Sequence, residues 1–179
     1  MEQSYPHRAS SLSAPYEEGS PTLIVGIADI KVGTAPQVIK TTLGSCVAVC
    51  LYNSDKKVGG MLHFMLARVL ESETQLEVIK KAKYADTGIP ELLRQLRVKY
   101  QLESGDFTAR IFGGASLLPG VTKNIGKEND DAARAVLRQN GVRVTGAKIG
   151  GTKGYKIDFD LADGTIKVQL FGEAPEVFR

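Results

Sequence analysis

Apolar residues fall along the chain in short runs with strand character, interrupted by two stretches with helical spacing. The run Thr22-Leu-Ile-Val-Gly-Ile-Ala28 opens the ordered part as a β-rich segment, and Val38-Ile39 begins another extended stretch before Gly44. Cys46-Val-Ala-Val-Cys-Leu-Tyr52 is almost wholly small or β-branched and apolar, the composition of a strand buried on both faces. Asn53-Ser-Asp-Lys56 supplies turn chemistry, and residues 58–66 read as a second strand, so the two predict a hairpin. Residues 67–83 are charged and irregular, the character of a loop. Asp86 or Thr87 then caps a helix with Pro90 in its first turn, and Ile89, Leu92, Leu93 and Leu96 give it one apolar face.

Residues 107–112 read as a strand running into Gly113-Gly114-Ala115-Ser116. A second helix is expected over 127–140, with Ala132, Ala133, Val136 and Leu137 inward and Gly141 as its stop. Strands follow over 142–149, 155–161 and 165–171, the last two joined by the hairpin signal Asp163-Gly164. No internal repeat is visible. This order predicts an α/β fold: a single-domain sandwich of mixed, largely antiparallel β-sheet with two or three helices. The domain is expected over 22–179, after a disordered tail over 1–21 rich in Ser and punctuated by Pro6, Pro15 and Pro21.

Composition narrows the function classes. No run approaches the roughly 20 apolar residues of a membrane-spanning helix, and the N-terminus has no apolar secretory core. The expectation is a cytoplasmic protein without membrane insertion. The net charge is +3, but basic residues are dispersed, Trp is absent and aromatics make up 7%, so nucleic acid is not an expected partner. The tightest basic cluster, Lys80, Lys81 and Lys83, reads as a solvated surface. The two cysteines, Cys46 and Cys50, would lie roughly 13 Å apart on one strand at about 3.3 Å per residue, beyond disulfide reach. With one distant histidine they also fall short of the four ligands of a structural zinc site.

The chain holds two histidines, and His7 lies in the tail, which leaves His63 for a folded site. Antiparallel pairing of the predicted hairpin carries His63 towards the end of the sheet where Cys46 begins its strand. Gly44-Ser45-Cys46 places a glycine-containing turn before the thiol, where backbone N–H groups can face an oxyanion. An imidazole beside Cys46 would convert its thiol to the reactive thiolate. Cys50, mid-strand with no glycine beside it, reads as a small core residue. Gly113-Gly114 and Gly150-Gly151 match no phosphate-loop pattern and read as tight turns or sites of close backbone approach. Ser116 has no second histidine to activate it, which disfavours a serine hydrolase.

The stretch Thr41-Thr-Leu-Gly-Ser-Cys-Val-Ala-Val-Cys-Leu-Tyr52, followed by Gly59-Gly-Met-Leu-His-Phe-Met-Leu66, closely resembles the CheD family of chemoreceptor glutamine deamidases. The likeness continues through Lys83-Tyr-Ala-Asp86, Phe112-Gly-Gly-Ala115, Asn124-Ile-Gly126 with Asn129, and Gly150-Gly151. It implies Cys46 as nucleophile, His63 as base and a threonine before the glycine turn as third member. Some family members carry that threonine where this chain has Lys40, so Thr41, the favoured candidate, and Thr42 both remain open. At Gly154-Tyr155-Lys156 many members have arginine after the glycine. The resemblance implies hydrolysis of receptor glutamine to glutamate through a cysteine thioester, in chemotaxis adaptation, with no metal or organic cofactor. It also implies chemoreceptor cytoplasmic helices as substrate and a CheC-type phosphatase as a binding partner. Rival readings are a non-catalytic adaptor for receptors or a CheC-type phosphatase, and a thiol protease.

Overall fold

The computed structural model describes residues 21–73, 79–117 and 124–179. Among the described residues, ten strands form two five-stranded sheets. The first sheet has the order β1 (Thr22–Ile24), β3 (Val38–Leu43), β8 (Tyr155–Asp160), β9 (Ile166–Leu170), β10 (Glu176–Phe178). The second has the order β2 (Asp29–Thr34), β5 (Val58–Phe64), β4 (Val47–Asn53), β6 (Thr108–Gly113), β7 (Arg143–Ile149). Only β1–β3 and β6–β7 pair in parallel; the remaining pairs are antiparallel. Helices α1 (Ala85–Tyr100) and α2 (Ile125–Gln139) cover the outer face of the second sheet.

The alternation of side chains along β4 explains this layering. Val47, Val49 and Leu51 point into the cluster formed with Ile89, Leu92 and Leu96 of α1 and Ala133 and Leu137 of α2. Ala48 and Cys50 point the other way, against Ile39, Leu43, Tyr155, Ile157 and Phe159 of the first sheet. The second sheet is thus the middle of three layers, and its strands need apolar residues on both faces. The predicted sandwich is present, and so is the hairpin, with strands over 47–53 and 58–64 in place of 46–52 and 58–66, so that Cys46 lies just before its strand. Strands β4 and β5 are in register from Val47↔Phe64 to Asn53↔Val58.

Several boundaries differ from the sequence expectation. Strand β2 was not anticipated: it is short, its Ile30 and Val32 alternate with Asp29 and Lys31, and it pairs with β5 as an edge strand. Strand β10 was likewise unforeseen, and docks its Phe178 ring edge-on against Phe112 at 5.1 Å. Helix α1 starts at Ala85, with Tyr84 in the capping position and no side-chain cap. Asp86 and Thr87 therefore lie inside the helix, and Pro90 falls in the second turn. Their side chains serve other groups: Asp86 accepts from the Val69 N–H at 3.2 Å, and Thr87 donates to the Lys81 carbonyl at 2.7 Å. Helix α2 starts two residues earlier than expected, where the Asn124 side chain accepts from the Lys127 N–H at 2.9 Å. The irregular 67–83 stretch contains short 3-10 turns at Glu71–Glu73 and Lys81–Lys83. Residues 74–78 and residues 1–20 of the expected tail lie outside the described residues, while Pro21, the tail's last residue, accepts from the Val38 N–H at 3.0 Å. Of the basic cluster, Lys81 pairs with Glu91 and Lys83 with Glu73.

Candidate active site

The candidate residues converge where the chain crosses from the first sheet to the second. Strand β3 ends at Leu43, Gly44-Ser45-Cys46 makes the crossing, and β4 begins at Val47. In β3 the alternation turns Thr41 and Leu43 inward and Thr42 out to solvent. In β5 His63 lies directly opposite Ala48 of β4 on one side and Asp29 of β2 on the other. Residues directly opposite share a face, so His63 points between the sheets with Ala48, Cys46 and Cys50. Cys46 is two positions along from Ala48, on the diagonal from His63.

Thr41 and His63 meet across the layer interface, with Thr41 Oγ1 3.0 Å from His63 Nδ1. The same hydroxyl donates to the Val25 carbonyl at 2.8 Å. A hydroxyl has one proton, and a carbonyl can only accept it. Thr41 therefore has lone pairs left for the imidazole, and His63 Nδ1 must carry the hydrogen. The neutral ring then presents a lone pair at Nε2, which has no hydrogen-bond partner among the described residues. His63 is 2% exposed. Burial holds its basicity down, against the opposing pull of the Asp29 carboxylate, to about 4.

Cys46 is half-buried, and burial pushes its thiol up. Neutral imidazole and neutral thiol are thus the resting forms near pH 7, and no hydrogen bond joins the two in this structure. This differs from the thiolate that the sequence led us to expect: both groups are desolvated, and desolvation penalises either charge. Cys50 is a buried core residue with its thiol pushed far up, as its mid-strand position implied.

The turn before Cys46 is braced from the end of β6. The Gly114 N–H donates to the Cys46 carbonyl at 2.8 Å and the Ala115 N–H to the Gly44 carbonyl at 3.0 Å. Gly113 and Gly114 have φ of +111° and +70°, a conformation that glycine adopts at little cost. Any Cβ on Gly113 would strike the Cys46 carbonyl oxygen. The Gly150 N–H donates to the Gly113 carbonyl and the Ser116 N–H to the Gly151 carbonyl, both at 2.8 Å. With its carbonyls held on this side, the turn leaves the Ser45 and Cys46 N–H groups without a partner among the described residues. The end of β5 is fixed too: fully buried Asn129 of α2 donates Nδ2–H to the Met65 carbonyl at 2.8 Å.

A cavity of about 360 Å³ is lined by Thr41 and His63, and walled further by Ile24, Ile27, Lys40 and Lys156. Ile24 and Ile27 are exposed apolar side chains at its rim. Cys46 is not among its walls. Among the described residues no group of His, Cys, Asp and Glu is placed to hold a metal ion, and no helix is long and apolar enough to cross a membrane.

The model of the CheD chemotactic sensory transduction family matches residues 65–170. A protein of Methanococcus vannielii is 39% identical over 157 residues, covering 87% of this chain and 99% of its own. The chain belongs to the CheD family. A second relative, from Desulforamulus reducens, is 37% identical over 165 residues, covering 89% of this chain and 97% of its own. Both relatives are named probable chemoreceptor glutamine deamidase CheD. Among solved structures, the Bacillus licheniformis hypothetical protein YfiH superposes at a TM-score of 0.45 with 12% identity, over 69% of this chain and 51% of that one.

Asp29 is the charged neighbour of His63 that sequence reasoning missed. The signal was present in the alternation Asp29, Ile30, Lys31, Val32, but it is only four residues long and is cut off by Gly33.

Proposed function

We propose that this chain is a protein-glutamine deamidase acting on chemoreceptors, with Cys46 as nucleophile, His63 as general base and acid, and Thr41 as the group that fixes the histidine tautomer. The observation that carries the reading is the two-bond arrangement at Thr41 Oγ1. It donates to Val25 and accepts from His63 Nδ1–H, leaving Nε2 free for the thiol proton. Membership of the CheD family and the names of the relatives supply the substrate class.

In this mechanism Cys46 Sγ attacks the carboxamide carbon while its proton moves to His63 Nε2. The carbonyl π pair becomes an oxyanion, for which the Ser45 and Cys46 N–H groups are the available donors. The imidazolium returns its proton to the amide nitrogen, the C–N bond breaks and ammonia leaves a thioester. Water, deprotonated by the neutral imidazole, attacks the thioester carbon. The C–S bond breaks, the thiol regains its proton and the product is glutamate. Because the resting pair is neutral, the thiolate forms during attack instead of standing preformed.

The test is incubation with a glutamine-bearing chemoreceptor cytoplasmic fragment, following ammonia and intact mass. Each conversion should add about one mass unit, and Cys46→Ala and His63→Ala should abolish it. Full deamidation by Cys46→Ala sinks the mechanism, and cleavage of the fragment points to a protease. A CheC-type phosphatase, implied by the resemblance in sequence, should compete with the receptor and slow deamidation when added; tight binding by a protein inactive on receptors favours the adaptor reading.

A further inference from the structure

We infer that Asp29 is a positioning residue of this site: its carboxylate, set directly across the β2–β5 pair from His63, stabilises the imidazolium that forms when His63 takes the Cys46 proton. The inference rests on the function proposed above.

Directly opposite residues of an antiparallel pair have Cβ atoms about 4.5–5.5 Å apart and share one face. Asp29 and His63 are such a pair, and Ala48 is the opposite number of His63 on the far side. The imidazole therefore has a small methyl towards β4 and a carboxylate towards β2. The carboxylate is held in place by three donors: the Ile30 N–H at 2.8 Å, the Gly26 N–H at 3.4 Å and Lys31 Nζ at 2.7 Å. Partial burial raises its basicity, but these donors more than offset that and keep it below the ordinary carboxylate range, so it is ionised throughout the neutral region.

The other titratable or charged groups facing this region do not supply the same anion. Lys40 and Lys156 line the cavity on the Thr41 side, and Asp158 there is paired with Lys40 at 3.5 Å. Cys46 is the proton donor itself. Lys31, bonded to Asp29, moderates the effect without cancelling it, because Asp29 still pulls the His63 basicity upward.

Thr41 cannot do this work. Its hydroxyl orients the ring through Nδ1, but it carries no charge to balance the proton arriving at Nε2. A buried imidazole held down to about 4 takes a proton with difficulty, and a nearby anion lowers that barrier during attack.

Asp29 also has a structural task, since its bond to the Gly26 N–H helps hold the turn that presents the Val25 carbonyl to Thr41. The test separates the two. His63 is one of two histidines, so its ring resonances can be followed by NMR through an acid titration of the full-length protein without any substrate. In Asp29→Asn, which keeps the side-chain oxygen, the His63 midpoint should move to lower pH, and kcat on a receptor fragment should fall about tenfold with KM little changed. Asp29→Glu should restore both. An unmoved midpoint overturns the inference, as does a lowered midpoint with full activity, or a rate loss that Glu does not restore. If the native protein deamidates no receptor, the function proposed above fails, while the titration still reports the coupling of Asp29 to His63.

Discussion

Gly126, in the first turn of α2, packs its Cα against the backbone of Gly114, whose N–H holds the Cys46 carbonyl. A Cβ at position 126 would strike the Gly114 carbonyl, which is backbone and cannot swing aside. Gly126→Ala should therefore push α2 and the Gly113-Gly114 turn apart, despite the gain of roughly 1 kcal/mol in helix propensity. The expected outcome is a net loss of about 1–3 kcal/mol in urea denaturation. Deamidation should fall on the order of tenfold to a hundredfold, because the nucleophile loses its brace.

Thr41 and Thr42 give a sharp contrast. Thr41→Val removes the hydroxyl that fixes the His63 tautomer and should lower kcat on the order of a hundredfold, while Thr41→Ser should keep most of it. Thr42 points to solvent, so Thr42→Val should leave kcat unchanged. Steady-state ammonia release measures all three.

Cysteine reactivity should mirror the neutral resting pair. In the native protein at pH 7, iodoacetamide should label Cys46, half-buried with its thiol pushed up, more slowly than an exposed peptide thiol. Cys50, 2% exposed, should be labelled only on unfolding. Peptide mapping after timed labelling reads both. Faster labelling of Cys46 than of the peptide would mean a preformed thiolate and would sink the neutral-pair account.

Burial of His63 makes stability depend on pH. The folded histidine titrates at about 4, against 6.5 for an ordinary one, chiefly because burial disfavours its charged form. As pH falls through this window the unfolded chain takes up the proton first, so the unfolded state binds more protons and stability drops. Complete, the effect is about 3 kcal/mol at 1.36 kcal/mol per tenfold change in proton affinity. His63→Gln should reduce the difference in urea stability between pH 7 and pH 4.5 by about 2 kcal/mol, with contributions from the carboxylates common to both proteins.

The hairpin that carries His63 and begins just after Cys46 was legible in sequence because both strands are buried on both faces and leave long apolar runs. The three-layer order was partly legible for the same reason: helices of one apolar face each need a sheet to cover. The choice between Thr41 and Thr42 was not, since it depends on β3 running through to Leu43, and the polar Lys40-Thr-Thr stretch hides that strand. Asp29 was hidden for a related reason. Its role depends on a strand pairing, and an edge strand that buries little carries a weak apolar signal. Gly113 and Gly114 were visible as permissive positions and Gly126 only as part of the family likeness, but that Gly114 and Gly126 touch each other is set by the docking of α2 onto the sheet.

The Thr41–His63 contact joins residues from different sheets, while the thiol sits on the segment between them. On the mechanism proposed above, activity is therefore a property of the closed sandwich and of neither sheet alone. On that same mechanism, a chain emerging from synthesis, or one whose layers have parted, carries a cysteine with no oriented base and does not deamidate. Competence to alter other proteins' glutamines would then arrive only with completed folding.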